Sequence, residues 1–429
     1  MTIEPKILKG FRDFLPSSEI TRKNLIEQIE YCFRSYGFVP IDTPALEYAE
    51  ILLGKGGGET EKQIYRFKDN GGRDVALRFD LTVPFARFLA GHREELVFPF
   101  KRYHIGKVWR GENTQRGRYR EFSQCDFDTI GSDSAAADFE ILHIMRNTLL
   151  SISGGNVTIR LNHRGLFNRF LSRLDLLDSS VEILRTVDKL SKIGRDETLK
   201  LLSETVGDSK AEKILGFVGI DGGFDETLAA MSNAAGSCPE TERLKKIRLF
   251  MIEAGIADNF ILDPSITRGL DYYTGVVFES FLADLPDIGS VCSGGRYDNL
   301  VGLYSKQPLS GVGASIGIDR LIAGLETLGK INAESSYART AIACVKETAG
   351  GAYQALAEKL RKSGIPCEVF LEEEKLTKQF QLAEKKGIRH LVIPDSENPA
   401  GASLTLRDIA KRENHEWLKM EEIIEIIKT

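Results

Sequence analysis

Between Arg118 and Asp128 the sequence RYREFSQCDFD alternates strictly enough to constrain everything around it. In an extended chain, Arg118, Arg120, Phe122, Gln124, Asp126 and Asp128 fall on one face. That face is polar, aromatic and ionic together, and an unpaired charge is not tolerated in a dry core. Two arrangements satisfy it. One is a solvated hairpin in which Glu121 and Asp126 pair with the arginines. The other is the floor of a site for a polyanion that carries an aromatic base.

Two further stretches bear on that choice. RGLDYYTG (268–275) offers a cation, a carboxylate and two phenols within six residues. SGVGASIGIDRL (310–321) is a small-residue strand opening into a helix that carries Arg320. Small side chains let a flat ligand approach the backbone closely. An arginine one turn into the helix can then reach its phosphates.

The chain has 429 residues, too many for one ordinary core, so two or three domains are expected. With 42% hydrophobic and 28% charged residues it reads as soluble and globular rather than disordered. Its formal charge of −5 gives no global attraction to nucleic acid, so any RNA contact must come from local basic patches. The six cysteines contain no CxxC pair, which argues against a metal site and a disulfide framework and for a reducing compartment. Met1–Gly10 lacks the features of a signal or transit peptide. No apolar run approaches the ~18 residues a membrane helix needs. A cytoplasmic protein without membrane contact is expected.

Along the chain, Ser17 and Ser18 can cap a helix whose apolar positions Leu25, Ile29, Cys32, Phe33 and Tyr36 recur at helical spacing until Gly37. Phe38–Leu46 carries Pro40 and Pro44 and reads as an extended edge; 54–58 (GKGGG) reads as a mobile loop. Strands are expected over 74–81 and 97–130, with a polar loop between Trp109 and Tyr119, and a helix over Ala135–Ser151. From about 165 to 258 charged helical text dominates, as in an insertion. Strands return at 268–281, 288–293 and 310–316, with a helix from Gly317. After a polar linker near 332–339, short strands alternate with helices (340–345, 351–363, 367–371, 375–386, 390–393), the pattern of a small separate α/β domain.

Two apparent nucleotide motifs fail. GLETLGK (324–330) has phosphate-loop spacing, but Ile331 stands where Ser or Thr must hold magnesium. GVGASIG (311–317) has the wrong final gap for a dinucleotide fingerprint.

Together the three charged stretches resemble class II aminoacyl-tRNA synthetases, and specifically their histidyl branch. KGFRDFLP (9–16) resembles that family's opening, and the segment ending in Pro44 its motif 1, which there builds a homodimer interface. Residues 110–128 resemble motif 2 and 310–321 motif 3. RGLDYYTG and SGGRYD (293–298) resemble the two histidyl signatures. The last ninety-odd residues resemble the family's anticodon-binding domain.

The resemblance implies an α+β fold: an antiparallel sheet flanked by helices in a catalytic domain over 1–330, with the helical insertion at about 165–258, and an anticodon-binding α/β domain over 331–429. It implies ATP as a substrate, expected with Mg2+, and L-histidine and tRNA(His) as the other substrates. It places Arg110 on the ATP α-phosphate and beside histidine, Glu112 facing the adenine, Phe122 stacked on the base, Arg118 also at ATP, and Arg320 on the far phosphates. Arg268 falls between the histidine carboxylate and the α-phosphate, where other class II enzymes use a metal. Asp80 and Thr82, with Leu81 between them, hold the α-amino group; Asp128 and Tyr273 read the imidazole; Gln124 and Tyr272 line the pocket. A carboxylate that accepts an imidazole N–H can discriminate by roughly 10⁴–10⁵ without editing, so no editing domain is expected.

The chain departs from the pattern in two places. Many bacterial relatives carry Glu where this one has Asp80 and Asp128; FDLTVPFAR and REFSQCDFD resemble the eukaryotic and archaeal style, yet the motif 2 loop (113–117) is shorter than in that style. His104, His143 and His163 read as packing residues. Lys378, Gln379, Lys385, Lys386 and Arg389 are candidates for the anticodon stem or simply a solvated helix face. The competing reading is a non-catalytic paralogue serving as regulatory subunit of ATP phosphoribosyltransferase. Such relatives lack the C-terminal domain and lose the reactive arginines, whereas Arg110, Arg268 and Arg320 are all present here.

Overall fold

The computed structural model describes residues 2–54, 62–267, 273–298, 302, 304, 309–331, 334–395, 398 and 403–428. The chain divides into two compact units, residues 1–12 with 25–331 and residues 13–24 with 332–429. The GKGGG stretch lies almost wholly outside the described residues, only Gly54 being within them.

In the first unit the strands are β1 (Val39–Pro40), β2 (Leu46–Tyr48), β3 (Arg66–Lys68), β4 (Asp74–Leu77), β5 (Phe100–Trp109), β6 (Glu121–Ile130), β7 (Val157–His163), β8 (Phe260–Leu262), β9 (Val276–Leu282), β10 (Cys292–Tyr297) and β11 (Gly311–Gly317). Three of them form a small sheet ordered β2-β4-β3, and the others one sheet ordered β1-β5-β6-β11-β10-β9-β7-β8. The larger sheet is mixed rather than wholly antiparallel. Its terminal pairs, β1 with β5 and β7 with β8, run parallel. Proline explains the first: Pro40 has no N–H to give a neighbour, so the Phe38–Leu46 segment contributes only two residues, at the sheet's edge.

Alternation along the strands separates two faces. Tyr103, Cys125, Phe127, Val312, Ala314, Ile316, Phe278, Ile159 and Leu161 share a core with the helices Pro16–Ser35 and Ala135–Ser153, through Ile29, Phe33, Ile141 and Met145 among others. The Phe33 ring lies 4.7 Å from that of Phe127 and 5.7 Å from that of Tyr103. Ser134 caps the second helix by accepting from the Ala137 N–H. Gly37, with φ of 80°, ends the first in a left-handed conformation that favours glycine.

The insertion is helical from Arg164–Ser172 to Pro239–Glu253. Phe167, Ile214, Leu244 and Ile247 belong to the same core as the sheet, so it is not a separate bead. An ion-pair bridge fixes it further. Asp138, on the sheet-covering helix and fully buried, accepts from Arg243 Nε at 2.5 Å and from Arg296 Nε at 2.7 Å. Arg243 comes from the insertion and Arg296 from β10.

The second unit has a five-stranded sheet ordered β13-β12-β14-β15-β16, from β12 (Thr340–Ile342), β13 (Cys367–Val369), β14 (His390–Pro394), β15 (Leu404–Asp408) and β16 (Glu413–Leu418). Its core gathers Ala341, Ile342, Tyr353, Leu360, Leu391, Leu406 and Ile423. Gln379 is no RNA contact. Only 2% exposed, it donates to the Cys344 carbonyl and accepts from the Cys344 N–H, bracing the chain after β12. Lys378 pairs with Glu374, Lys386 with Glu368 and Arg389 with Asp408. Among the described residues no helix is long and apolar enough to cross a membrane.

Replacing Asp138 with Ala leaves two guanidinium groups facing an empty, enclosed position. The expected cost is about 3–5 kcal/mol, read as a lowered midpoint for denaturant unfolding of the first unit. An unchanged midpoint would show that the bridge holds nothing together.

Candidate active site

The sheet's other face is polar, and register assembles it. Arg102, His104 and Gly106 of β5 stand opposite Asp128, Asp126 and Gln124 of β6. On the far side of β6 the same three residues face Gly313, Ser315 and Gly317 of β11. Gly295 and Tyr297 of β10 continue the face across Gly313 and Gly311. Glycine is required here for space: a Cβ on Gly313 would collide with the Asp128 carboxylate, and one on Gly295 would sit 2.8 Å from Cδ1 of Tyr273. Only Phe122, Gln124, Asp126 and Asp128 lie on the β6 face as anticipated. Arg118 and Arg120 do not, because β6 begins at Glu121 and the chain before it turns through a Gln115–Arg118 bridge.

Three carboxylates are enclosed at this floor: Asp80 is 1%, Asp126 2% and Asp128 3% exposed. Asp128 is matched internally. Tyr297 Oη donates to its Oδ1 at 2.5 Å, and Arg102 Nη2 lies 2.7 Å from Oδ2, off the axis of a hydrogen bond. The Arg102 guanidinium also lies 4.0 Å over the Phe85 ring. Arg78, equally enclosed, is occupied by the carbonyl oxygens of Thr43 and Lys107.

The other two carboxylates are not balanced. Asp80 Oδ1 accepts the Val83 N–H at 3.0 Å, in the first turn of the helix Thr82–Gly91, and its Oδ2 has no donor. Asp126 Oδ2 accepts a long bond from Thr82 Oγ1 at 3.5 Å, and its Oδ1 has no donor. Gln124 Nε2 donates to Ser315 Oγ at 2.9 Å, leaving its enclosed Oε1 unmatched. Burial pushes the Asp80 carboxyl up to about 6 against the lowering effect of the Val83 N–H and Arg110. It pushes Asp126 up to about 7, with Arg102 opposing and the neighbouring Asp128 and Asp80 charges adding to the rise. Burial, then Arg102 and Arg78, drive His104 down to about 3, so it is a neutral ring.

The residues assigned to ATP lie at the other end of β6. Arg110 Nε donates to the Phe79 carbonyl at 2.9 Å, and its guanidinium is 5.2 Å from the Phe122 ring centre. Glu112 is paired with Arg118. Arg320 Nη1 donates to the Ser290 carbonyl at 2.8 Å. Gly117, with φ of 72°, lies against the Arg320 backbone and brings the motif 2 turn onto the motif 3 helix Ile318–Thr327. Arg12 of the opening segment pairs with Asp319 and stacks 3.7 Å over Tyr119, while Asp319 Oδ2 accepts the Ser123 N–H at 2.8 Å. The opening, motif 2 and motif 3 are thereby tied at one point.

Tyr273 lies over Gly295, within electrostatic reach of Tyr297. Leu81 is wholly enclosed. Arg268 and Tyr272 lie outside the described residues. His163 caps the helix Arg164–Ser172 and His143 packs against Phe139 and Tyr36, so both are packing residues. Arg102 and Tyr297 were missed as site residues. Alternation alone places Arg102 and His104 on one face, but the hairpin register that sets them against Asp128 and Asp126 depends on an irregular turn.

This mixed sheet, its charged hairpin and the glycine-rich strand leading into an arginine-bearing helix define the catalytic unit of a class II aminoacyl-tRNA synthetase. Residues 10–321 match the family model described as histidyl-tRNA synthetase, and residues 340–429 that described as anticodon binding domain. The chain is 53% identical to the histidine–tRNA ligase of Treponema denticola over 96% of both chains. It is 45% identical to that of Rhodopirellula baltica over 96% of this chain and 95% of the relative. A crystal structure of histidyl-tRNA synthetase from a Nostoc species superposes with a TM-score of 0.86 at 33% identity, covering 100% of this chain and 99% of the other. The chain belongs to the histidyl-tRNA synthetase family.

The unbalanced carboxylates predict an inverted pH effect on stability. A carboxyl raised in the folded state carries no penalty below its unfolded value of 3.8, an increasing one between there and its folded value of about 7, and a constant one above that. Asp126→Asn should therefore stabilise the ligand-free protein at pH 8, by at most about 4 kcal/mol, with the gain vanishing near pH 4. Thermal unfolding at the two pH values checks this; a variant less stable at pH 8 would refute it.

Proposed function

We infer that this chain activates L-histidine with ATP, forming histidyl-adenylate and pyrophosphate, and transfers the histidyl group to the 3′ end of tRNA(His). The observation that carries this reading is the near full-length similarity to histidine–tRNA ligases at up to 53% identity, together with the matched C-terminal domain. A regulatory-subunit reading is not favoured: Arg110 and Arg320 stand in the site, and the C-terminal domain is attached.

In the proposed site Asp80 and Thr82, with Leu81 enclosed between them, take the α-ammonium group, and Gln124 lines the pocket. Asp128 and Tyr273 read the imidazole. The Arg102 and Tyr297 contacts support that role, because they fix the Asp128 carboxylate and oppose the burial that raises its pKa. Tyr272 completes the pocket by resemblance. Phe122 stacks on adenine, Glu112 faces it with Arg118 as partner, Arg110 holds the α-phosphate and Arg320 the far phosphates. ATP is taken as its Mg2+ complex, the metal belonging to the substrate.

The chemistry follows from charge. A carboxylate attacking a phosphate brings two anions together, and the Arg110 and Arg268 guanidinium groups neutralise charge as it develops. The proton acceptor for the second step is the adenylate phosphate itself, since burial leaves His104 and His163 too weakly basic for the task. The terminal ribose hydroxyl attacks the carbonyl as AMP leaves.

The second unit is read as the anticodon-binding part, with exposed Lys378 and Lys385 as candidate contacts. We expect a homodimer formed through the segment ending at Pro44. Supporting it, Val39, Leu46, Tyr48 and Phe67 are large apolar side chains exposed on β1–β3 and their sheet. A cytoplasmic location fits six cysteines that are all unpaired.

ATP–pyrophosphate exchange with each amino acid in turn tests the reading, with stimulation by histidine alone expected. Arg268→Ala should lower the exchange rate by about 10²–10³, and near-normal exchange would remove Arg268 from the chemistry. Asp128→Ala should weaken histidine binding while leaving ATP binding largely intact; equal losses would refute its part in reading the ring.

A further inference from the structure

We propose that Asp126 is a second counter-ion for the substrate's α-ammonium group, sharing it with Asp80 and making ammonium recognition a specificity determinant in its own right. The inference rests on the amino-acid activation reading above, and adds a residue that the motif resemblance leaves unassigned.

The geometry points there through unmatched atoms. Three enclosed oxygens, Asp80 Oδ2, Gln124 Oε1 and Asp126 Oδ1, accept no hydrogen bond of ordinary geometry from the protein, although the Ser315 hydroxyl interacts with the Asp126 carboxylate. An enclosed acceptor without a donor costs about 1–3 kcal/mol, more when charged, so three together describe a missing donor group. They converge. Gln124 and Asp126 are two apart on one strand face and both turn toward Ser315, which stands directly opposite Asp126. Asp126 Oδ2 meets Thr82 Oγ1, two residues from Asp80 in the chain. Asp80 is near enough to oppose ionisation of Asp126.

The missing group must be cationic and rich in N–H. A primary ammonium has three donors and one positive charge, which matches three acceptors and a surplus of carboxylates. Arg102 acts on Asp126 only through its charge, for it is ion-paired with Asp128, lies over Phe85 and donates no hydrogen bond, while Arg78 is bonded to two backbone carbonyls. His104, opposite Asp126, is neutral. An imidazole N–H alone would satisfy one acceptor and leave two.

Affinities of L-histidine and of its deamino analogue, 3-(imidazol-4-yl)propionate, are to be measured by calorimetry on the full chain and on Asp126→Asn. The variant should lose about 10- to 100-fold in affinity for histidine while binding the analogue as the unaltered protein does, with Asp126→Glu restoring part of the preference. ATP affinity, read in parallel, should not change. Equal losses for both ligands, or an unchanged preference, would overturn the role. Histidine-stimulated pyrophosphate exchange by the unaltered chain separates the two readings. Its absence sinks the activity itself, whereas its presence with an unchanged preference sinks only the assignment of Asp126.

Discussion

Negative charge enclosed without internal balance is the constraint on which the rest of this structure depends. Asp126 and Asp128 lie on one face of a sheet with Asp80 enclosed in the connection before the helix Thr82–Gly91, and of the three only Asp128 has a guanidinium at ion-pair distance, from Arg102, with Tyr297 donating to it. Replacing the other two by apolar groups would give a more comfortable core. The fold instead keeps them ionisable and unpaired, so that binding free energy is stored as unmet hydrogen bonding. Glycines on the neighbouring strands belong to the same arrangement. Gly313 and Gly295 leave room for the Asp128 carboxylate and the Tyr273 ring, which a Cβ at either position would strike.

Such a face has to be held rigidly, since a carboxylate that can swing into water loses its selectivity. Strands supply most of that rigidity: Gln124, Asp126 and Asp128 are fixed on both sides by β5 and β11. Ion pairs between distant segments supply the rest. Asp319 joins the opening segment to motifs 2 and 3 by way of Arg12 and Ser123. Asp138 joins the insertion to the strand that carries Tyr297, and hence to the partner of Asp128. The insertion is therefore linked to this face by two ion pairs, Arg243 to Asp138 and Asp138 to Arg296, whose neighbour in sequence is Tyr297.

Much of this was legible in the sequence wherever a local period carried the information. The face of β6 from Phe122 to Asp128, the long helices beginning at Pro16 and Ala135, and the strand–helix alternation from Thr340 to Pro394 all follow from spacing. Non-local information was lost. The parallel pairing of β1 and β8 at the sheet's ends, and the strand β7 despite its alternating VTIRLNH, depend on partners far away in the chain. Arg118 and Arg120 were assigned to a strand face because alternation does not reveal that Gly117 turns the chain just before them. Gln379 resembled an exposed helix residue, but its amide pairs with the Cys344 backbone, which only tertiary structure can reveal. Arg102, the main internal counter-charge, sits in a stretch with no motif of its own.

The shortness of Asp80 and Asp128 acquires a physical meaning in this setting. Compared with Glu, an Asp at either position holds its carboxylate one methylene nearer the backbone. A withdrawn Asp128 is close enough to the sheet to be gripped by Arg102 on β5 and Tyr297 on β10, which a longer, freer side chain would not need. A withdrawn Asp80 turns one oxygen back to the Val83 N–H and offers the ligand only the other. A single oxygen cannot satisfy an ammonium group that has three N–H donors to place. The extra carboxylate at Asp126, opposite Ser315 on β11, supplies a further acceptor from the sheet face itself.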